Sequence, residues 1–370
     1  MLNVVSSNTT LSSYHFTQTS NEIPIIDISP LINGSVYHNQ CLIEIEKACR
    51  ETGFFAIKNF GVDPKLYQQL MTVAKTFFNQ SEKFKRRYQI GLNGRHCGYV
   101  PLTENGLCED EANKRLYEAF DLSLDLPASD PDHQRGNIFY GPVKWPEIKN
   151  FHLTVKQYFQ QVRNLSHILT TAFEKILGMP DGFMLSKMHK PTSQLRLIHY
   201  LQNQAHLDNV DINMGAHTDY ELFTILFADK TGLQTQNLNG EWIDVPVMPD
   251  TLTINIGDML EVWSDGIFKS NLHRVINQGQ ERYSFPYFAS LDYDTVVSPF
   301  KKKQTEKQIR VPRSTTYQPI KAGEHLLQQV TRDFAYLRRQ FVERSNSFLL
   351  NQRLDINPFQ NTVTQPRGEQ

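Results

Sequence analysis

Between residues 194 and 292 short β-rich runs follow one another with turn signals between them. They are Leu195–Tyr200, Phe223–Ala228, Leu233–Gln236, Trp242–Val245, Leu252–Ile256, Leu272–Ile276 and Tyr283–Leu291. Asn239-Gly240, between two of these runs, is the strongest short hairpin signal in the chain, because both residues tolerate positive φ. Many short strands with regular turns make a sandwich or a barrel.

Helical spacing flanks this region. Residues 39–52 carry Ile43, Ile45, Ala48 and Cys49, with Gly53 stopping the helix and Phe54–Ile57 reading as a buried strand. Residues 64–79 place Leu66, Leu70, Val73, Ala74, Phe77 and Phe78 on one face, and residues 89–145 read as a loop region. The longest helix begins at Phe151, carries apolar residues at three- and four-residue steps to Ile176, and ends at Gly178 and Pro180. Residues 321–343 form a last helix through Leu326, Val330, Phe334, Leu337 and Phe341. The predicted organisation is a polar tail over 1–22, a region of strands, helices and loops over 23–150, a β-rich domain with its supporting helices over 151–345, and a polar tail over 346–370. The fold class is mainly β with flanking helices, an α+β arrangement around a barrel or jelly roll.

Charge narrows the function. In 370 residues, 38 Lys and Arg balance 39 Asp and Glu for a net charge of −1, which argues against nucleic acid or an anionic membrane as the main partner. Lys83–Arg87 and Lys301–Lys303 therefore read as solvated faces. No apolar run approaches the roughly 18 residues of a membrane span, and no secretory signal is evident. Cys41, Cys49, Cys97 and Cys108 form no CxxC pair and read as ordinary thiols. The expectation is a cytoplasmic enzyme, a monomer or weak homodimer, acting on a small-molecule substrate, with no nucleic-acid or membrane partner.

The β-rich region also carries the chemistry. In His217-Thr218-Asp219 two metal-ligating side chains lie two residues apart, and on a strand or its end such positions point the same way. His273 follows 54 residues after Asp219. Two imidazoles and one carboxylate form the facial triad that suits non-haem Fe(II) and leaves positions open. Arg282 stands nine residues beyond His273, with Ser284 two further on. A guanidinium beside a hydroxyl is a fitting receptor for a carboxylate, which Arg binds as a fork. An isolated HxD is weak; HxD, a distant His and RxS in order within one β-rich stretch are not.

These segments closely resemble the isopenicillin-N-synthase-like branch of the Fe(II)/2-oxoglutarate-dependent oxygenases. The matching segments are Gly215–Tyr220, Gly232–Gln234, Asn255–Leu260, His273–Val275 and Glu281–Ser284, with Ile23–Ile28, Gly53–Phe55, Gly98–Val100 and Glu118–Asp121 upstream. The resemblance implies a double-stranded β-helix, or jelly roll. It implies Fe(II) on His217, Asp219 and His273, and 2-oxoglutarate anchored by Arg282 and Ser284, with Tyr200 and Arg196 reaching the co-substrate or the substrate. It further implies O2 as oxidant, ascorbate as a reductant, and hydroxylation, desaturation or ring closure with release of succinate and CO2. Leu201-Gln202-Asn203 follow Tyr200 where relatives often have two prolines. Isopenicillin N synthase itself uses no 2-oxoglutarate, so an oxidase that needs none stays open, as do a non-catalytic jelly-roll binding protein and a zinc hydrolase.

Specificity is expected from loops 93–105 and 116–121 and from Tyr220, Trp263 and Phe288 at the barrel end. Glu104 and Glu118 are the candidate carboxylates for a basic, amino-acid-like substrate, the branches closest in flavour being those that act on guanidino compounds. Asp258, after a glycine at a strand end, reads as a turn residue.

Overall fold

In the computed structural model, residues 22–102, 117–202, 212–300 and 317–343 are described. The alternation in the β-rich runs becomes two facing sheets. The strands are β1 (Ile25–Asp27), β2 (Phe54–Lys58), β3 (Gly98–Val100), β4 (Tyr117–Leu122), β5 (Gln194–Tyr200), β6 (Ile212–His217), β7 (Phe223–Ala228), β8 (Leu233–Gln236), β9 (Trp242–Asp244), β10 (Leu252–Ile256), β11 (His273–Ile276) and β12 (Arg282–Ala289). The larger sheet has the order β1-β2-β10-β7-β12-β5-β4-β3, and the smaller one β6-β11-β8-β9.

Side chains alternate across a strand, so the larger sheet has two apolar faces. Phe55, Ile57, Leu195, Leu197, Ile225, Ile254, Phe285 and Tyr287 join one core with the helices. The helix Phe151–Leu177 lies in that core; Gly178, at φ 63, ends it in the left-handed conformation. It packs on the helix Pro64–Phe78, which starts with Asp63 accepting from the Lys65 N–H and buries all six of its predicted apolar residues. The other face contributes Phe54, Ala119, Ile198, Tyr200 and Leu226 to a second cluster inside the barrel, shared with Leu233 and Val275 of the smaller sheet.

Several local expectations change. The loop region 89–145 contains β3 and β4, which extend the larger sheet beyond β5. β6 was absent from the predicted strands although it ends on His217. In the helix His38–Glu51 the buried stripe is Cys41, Ile45, Ala48 and Cys49; Ile43 lies off that stripe and faces solvent. The hairpin at Asn239-Gly240 forms, but only Gly240 takes positive φ, because the Asn237 side chain accepts from the N–H groups of Asn239 and Glu241. The last helix breaks into Ala322–Asp333 and Ala335–Glu343 at Phe334, whose extended backbone accompanies a buried ring packed edge-on against His96. Asp258 begins a short helix, Asp258–Trp263, instead of a turn. Among the described residues no helix is long and apolar enough to cross a membrane.

Candidate metal centre

The site grows from register. β6 and β11 are antiparallel neighbours, and His217 and His273 are direct partners across them. Asp219 lies in the loop just past β6. Backbone N–H groups of Gly257, Asp258 and Met259 donate to the carbonyls of Leu222, Asp219 and Glu221 at 2.9 to 3.1 Å and pin that loop. Gly257 is needed for this approach, since a Cβ there would run into the Glu221 carbonyl. Donor atoms of His217, Asp219 and His273 all lie within 4.8 Å of one another.

Each of the three side chains is aimed by a second hydrogen bond. His217 Nδ1 donates to the Gly215 carbonyl at 2.8 Å, and His273 Nδ1 to the Asn271 carbonyl at 3.2 Å. A carbonyl only accepts, so each Nδ1 carries a proton, and Nε2 is the nitrogen that would ligate a metal. Asp219 Oδ2 accepts from Asn255 Nδ2 at 2.6 Å and from Thr224 Oγ1. Its Oδ1 turns toward the imidazoles, 3.5 Å from His273 Nε2 and 3.9 Å from His217 Nε2. Burial pushes the Asp219 carboxyl up, but the two histidines and the Thr224 hydroxyl outweigh it and hold the group well below the usual carboxylate range. Two imidazole nitrogens and one carboxylate oxygen make a donor set that suits Fe(II).

Arg282, Ser284, Tyr200 and Arg196 lie on the inner face of β12 and β5. Arg282 pairs with Tyr200 and Ser284 with Ile198 across the strands. The Arg282 guanidinium lies 4.9 Å from the Tyr200 ring centre, and its Nε donates to the Lys230 carbonyl at 2.9 Å. Among the described residues its buried Nη1 has no acceptor, which is costly unless a ligand supplies one. Tyr200 is buried, which raises its phenol above the ordinary value; the nearby Arg282 guanidinium and the Ser284 hydroxyl oppose this. Arg196 instead forks onto Asp121, its partner on β4, with Nε–Oδ1 and Nη2–Oδ2 both at 2.7 Å.

The cavity above the triad is lined by His217, Asp219, Tyr220, Arg196, Phe288, Glu221 and the Ala322–Asp333 helix, among others. Tyr220 and Phe288 line this cavity. Trp263 does not: it is buried in the helix-side core beside Phe183. Glu118 also points away. On β4 it alternates with Tyr117 and Asp121, which face the cavity, so its carboxylate lies on the helix side. There it meets Lys85 Nζ at 2.6 Å, the Tyr99 hydroxyl at 2.6 Å and His199 Nδ1 at 3.0 Å. This removes it from the substrate, and it makes Lys85 a buried partner rather than part of a solvated run. Glu104 lies outside the described residues, as do Cys108 and Lys301–Lys303.

Sequence reasoning missed Thr224, Asp333 and Glu221, and gave no individual role to Asn255 and Asp121 within the segments it singled out. Thr224 and Asn255 carry a usable signal, a polar residue at an inward position of an otherwise apolar strand. Asp333 accepts from the Tyr220 hydroxyl at 2.7 Å and ties the C-terminal helix to the loop after β6. Glu221 is buried at 3 % exposure; burial, with the like charges of Asp219 and Asp258, pushes its carboxyl up to about 8 against the pull of its own backbone N–H and Arg196.

Residues 191–290 match the 2OG-Fe(II) oxygenase superfamily, and residues 23–148 the N-terminal region described as that of the non-haem dioxygenase in morphine synthesis. A homoarginine-6-hydroxylase of Glycine max is 32% identical over 332 residues, covering 85% of this chain and 98% of the relative. A homoarginine-6-hydroxylase of Oryza sativa subsp. japonica is 31% identical, with 84% and 97% covered. A putative 2OG-Fe(II) oxygenase family protein of Caulobacter crescentus superposes with a TM-score of 0.70 at 25% identity, covering 83% of this chain and 98% of that one. The chain belongs to the 2OG-Fe(II) oxygenase superfamily. It is a jelly-roll oxidoreductase that uses Fe(II), 2-oxoglutarate and O2 on a small molecule.

Proposed function

We propose that the chain hydroxylates a C–H bond of a basic, amino-acid-like molecule, with Fe(II) held by His217, Asp219 and His273 and the remote carboxylate of 2-oxoglutarate held by Arg282 and Ser284. The observation that carries this reading is the convergence of the two imidazoles and the Asp219 carboxylate within 4.8 Å of one another, in a barrel whose inner face also holds a buried Arg282 Nη1 with no acceptor among the described residues. The overall change is R–H + 2-oxoglutarate + O2 → R–OH + succinate + CO2, one oxygen atom entering the alcohol and the other succinate. Iron supplies the redox chemistry when bound.

The protein's own part is geometric. Thr224 and Asn255 hold Asp219 at one oxygen and leave the other for the metal. The Gly215 and Asn271 carbonyls fix the histidine tautomers. The buried Arg282 fork and the Ser284 and Tyr200 hydroxyls orient a carboxylate where bulk water competes little. Asp121 holds Arg196 at the cavity wall as a positioning residue. The homoarginine-6-hydroxylases among the relatives support a basic substrate; in homoarginine, carbon 6 adjoins the guanidino group.

The test is an anaerobic Fe(II) titration with 2-oxoglutarate, watching the weak visible charge-transfer band of the chelated complex, in wild type and in His217→Ala. A band in wild type alone supports both sites, and succinate release with L-homoarginine then supports the substrate class. Bound iron without a band overturns the assignment of Arg282 and Ser284 to 2-oxoglutarate.

A further inference from the structure

Among the described residues, Glu221 is the one acid lining the cavity for which neither the triad nor the tether to the C-terminal helix gives a use. It stands two residues beyond Asp219, is almost wholly buried and shares the cavity wall with Asp219, Arg196 and Tyr220. Asp219 is held by Thr224 and Asn255, Asp121 by Arg196, and Asp333 by Tyr220. Glu221 has no such partner: among the described residues no cation or side-chain donor meets its carboxylate, and Arg196, which shares the cavity wall, has spent its fork on Asp121. A buried carboxyl without a counter-charge is costly, and proteins retain one chiefly where a ligand completes it.

We infer that Glu221 is the receptor for the cationic end of the substrate, a guanidinium or ammonium at the tip of the side chain. This rests on the reading of a basic substrate given above and deepens it. A cation seated on Glu221 brings its adjoining methylene alongside the triad, because the receptor and Asp219 are carried by the same pinned loop. Specificity then comes from pairing: a neutral guest of the same shape leaves Glu221 buried and uncompensated, the kind of penalty by which polar sites reject isosteres. Glu221 acts here as a specificity residue and takes no part in holding iron.

The experiment is calorimetric binding to the full chain loaded anaerobically with Fe(II) and 2-oxoglutarate, using L-homoarginine and its neutral urea isostere L-homocitrulline, in wild type and Glu221→Gln. The visible band of the loaded enzyme, unchanged in the variant, shows that the site is folded. The expected result is that L-homocitrulline binds wild type at least about 30-fold more weakly than L-homoarginine. Glu221→Gln weakens L-homoarginine by a similar factor and leaves L-homocitrulline unaffected. The wild-type pair of ligands reads the charge preference without any substitution. Equal binding of L-homoarginine to wild type and variant overturns the inference while leaving the basic-substrate reading intact. Equal weakening of both ligands in the variant also overturns it, since that marks a structural role. If L-homoarginine, L-arginine and L-lysine all fail to bind wild type, the basic-substrate reading falls and takes this inference with it.

Discussion

His217 and His273 are register partners across antiparallel β6 and β11, with ring centroids 4.3 Å apart. Neighbouring strands in a sheet are about 4.8 Å apart, so the sheet itself brings the two imidazoles to chelating distance. Asp219 is different: it lies beyond the strand and depends on its neighbours for aim.

That dependence gives a first prediction. Asn255→Ala removes a 2.6 Å hydrogen bond from Asp219 Oδ2 without touching a proposed ligand. The expected outcome is an Fe(II) affinity about 10- to 100-fold lower, read from the metal concentration needed to develop the 2-oxoglutarate charge-transfer band. Unchanged affinity would mean that Thr224 and the pinned loop alone orient the carboxylate.

Arg282 offers a second. Lysine keeps the charge at this position but loses the planar fork, and the Nε donation to the Lys230 carbonyl goes with it. Arg282→Lys is expected to raise the KM for 2-oxoglutarate about 10- to 100-fold while Fe(II) binding in the absence of co-substrate stays near wild type. Succinate release against 2-oxoglutarate concentration measures the first quantity and a metal-binding titration the second.

A third prediction concerns stability away from the metal. The Glu118 carboxyl is buried, which raises it, yet His199, Lys85 and Tyr99 together hold it below its ordinary value of 4.5. A carboxyl lowered on folding contributes stability in full above its unfolded value, and loses that contribution as the pH falls through the lower folded value. Glu118→Gln leaves the buried Lys85 with only the more distant Glu82, at 3.8 Å, as a counter-charge and is expected to cost about 3 kcal/mol at pH 7. Its stability should fall less steeply than that of wild type as the pH drops below about 4.5. Urea denaturation at several pH values reads both effects; parallel curves for the two proteins would refute the linkage.

The same residue shows what a sequence reveals and what it hides. HxD, a distant His and RxS are legible because ligand types and spacing are written in the chain, and the strands carrying His273, Arg282 and Ser284 announce themselves by β-branched and aromatic residues. β6 does not: Ile-Asn-Met-Gly-Ala-His lacks that texture and is a strand because β11 pairs with it. β3 and β4 hide similarly in a glycine- and proline-rich stretch and are settled by pairing with β5 and with each other. Once β4 is a strand, alternation decides that Glu118 and Asp121 face opposite sides, which residue type alone does not. Lys85 is buried for the same reason: its partner's orientation is a property of the sheet. Glu221, next to Tyr220 in a recognisable motif, gives no sign of lacking a counter-charge until the cavity wall is assembled around it.

The last prediction concerns the closure of the cavity by the C-terminal helix. Asp333 is the final residue of the Ala322–Asp333 helix, and its carboxylate accepts from the Tyr220 hydroxyl, one residue beyond Asp219. A hydrogen bond to an ionised acceptor contributes about 1.5–3 kcal/mol, and here it fastens an element separated by more than a hundred residues to the loop that carries a proposed metal ligand. Beside it the backbone leaves the helix at Phe334, so the tether sits at the end of the helix that lines the cavity. Tyr220→Phe removes only the hydroxyl. The expected outcome is faster amide hydrogen exchange over residues 322–333 and a substrate KM raised several-fold, with Fe(II) and 2-oxoglutarate binding little changed. If exchange over that helix is unaltered while KM rises, the hydroxyl contacts substrate directly and the tether is not what holds the cavity shut.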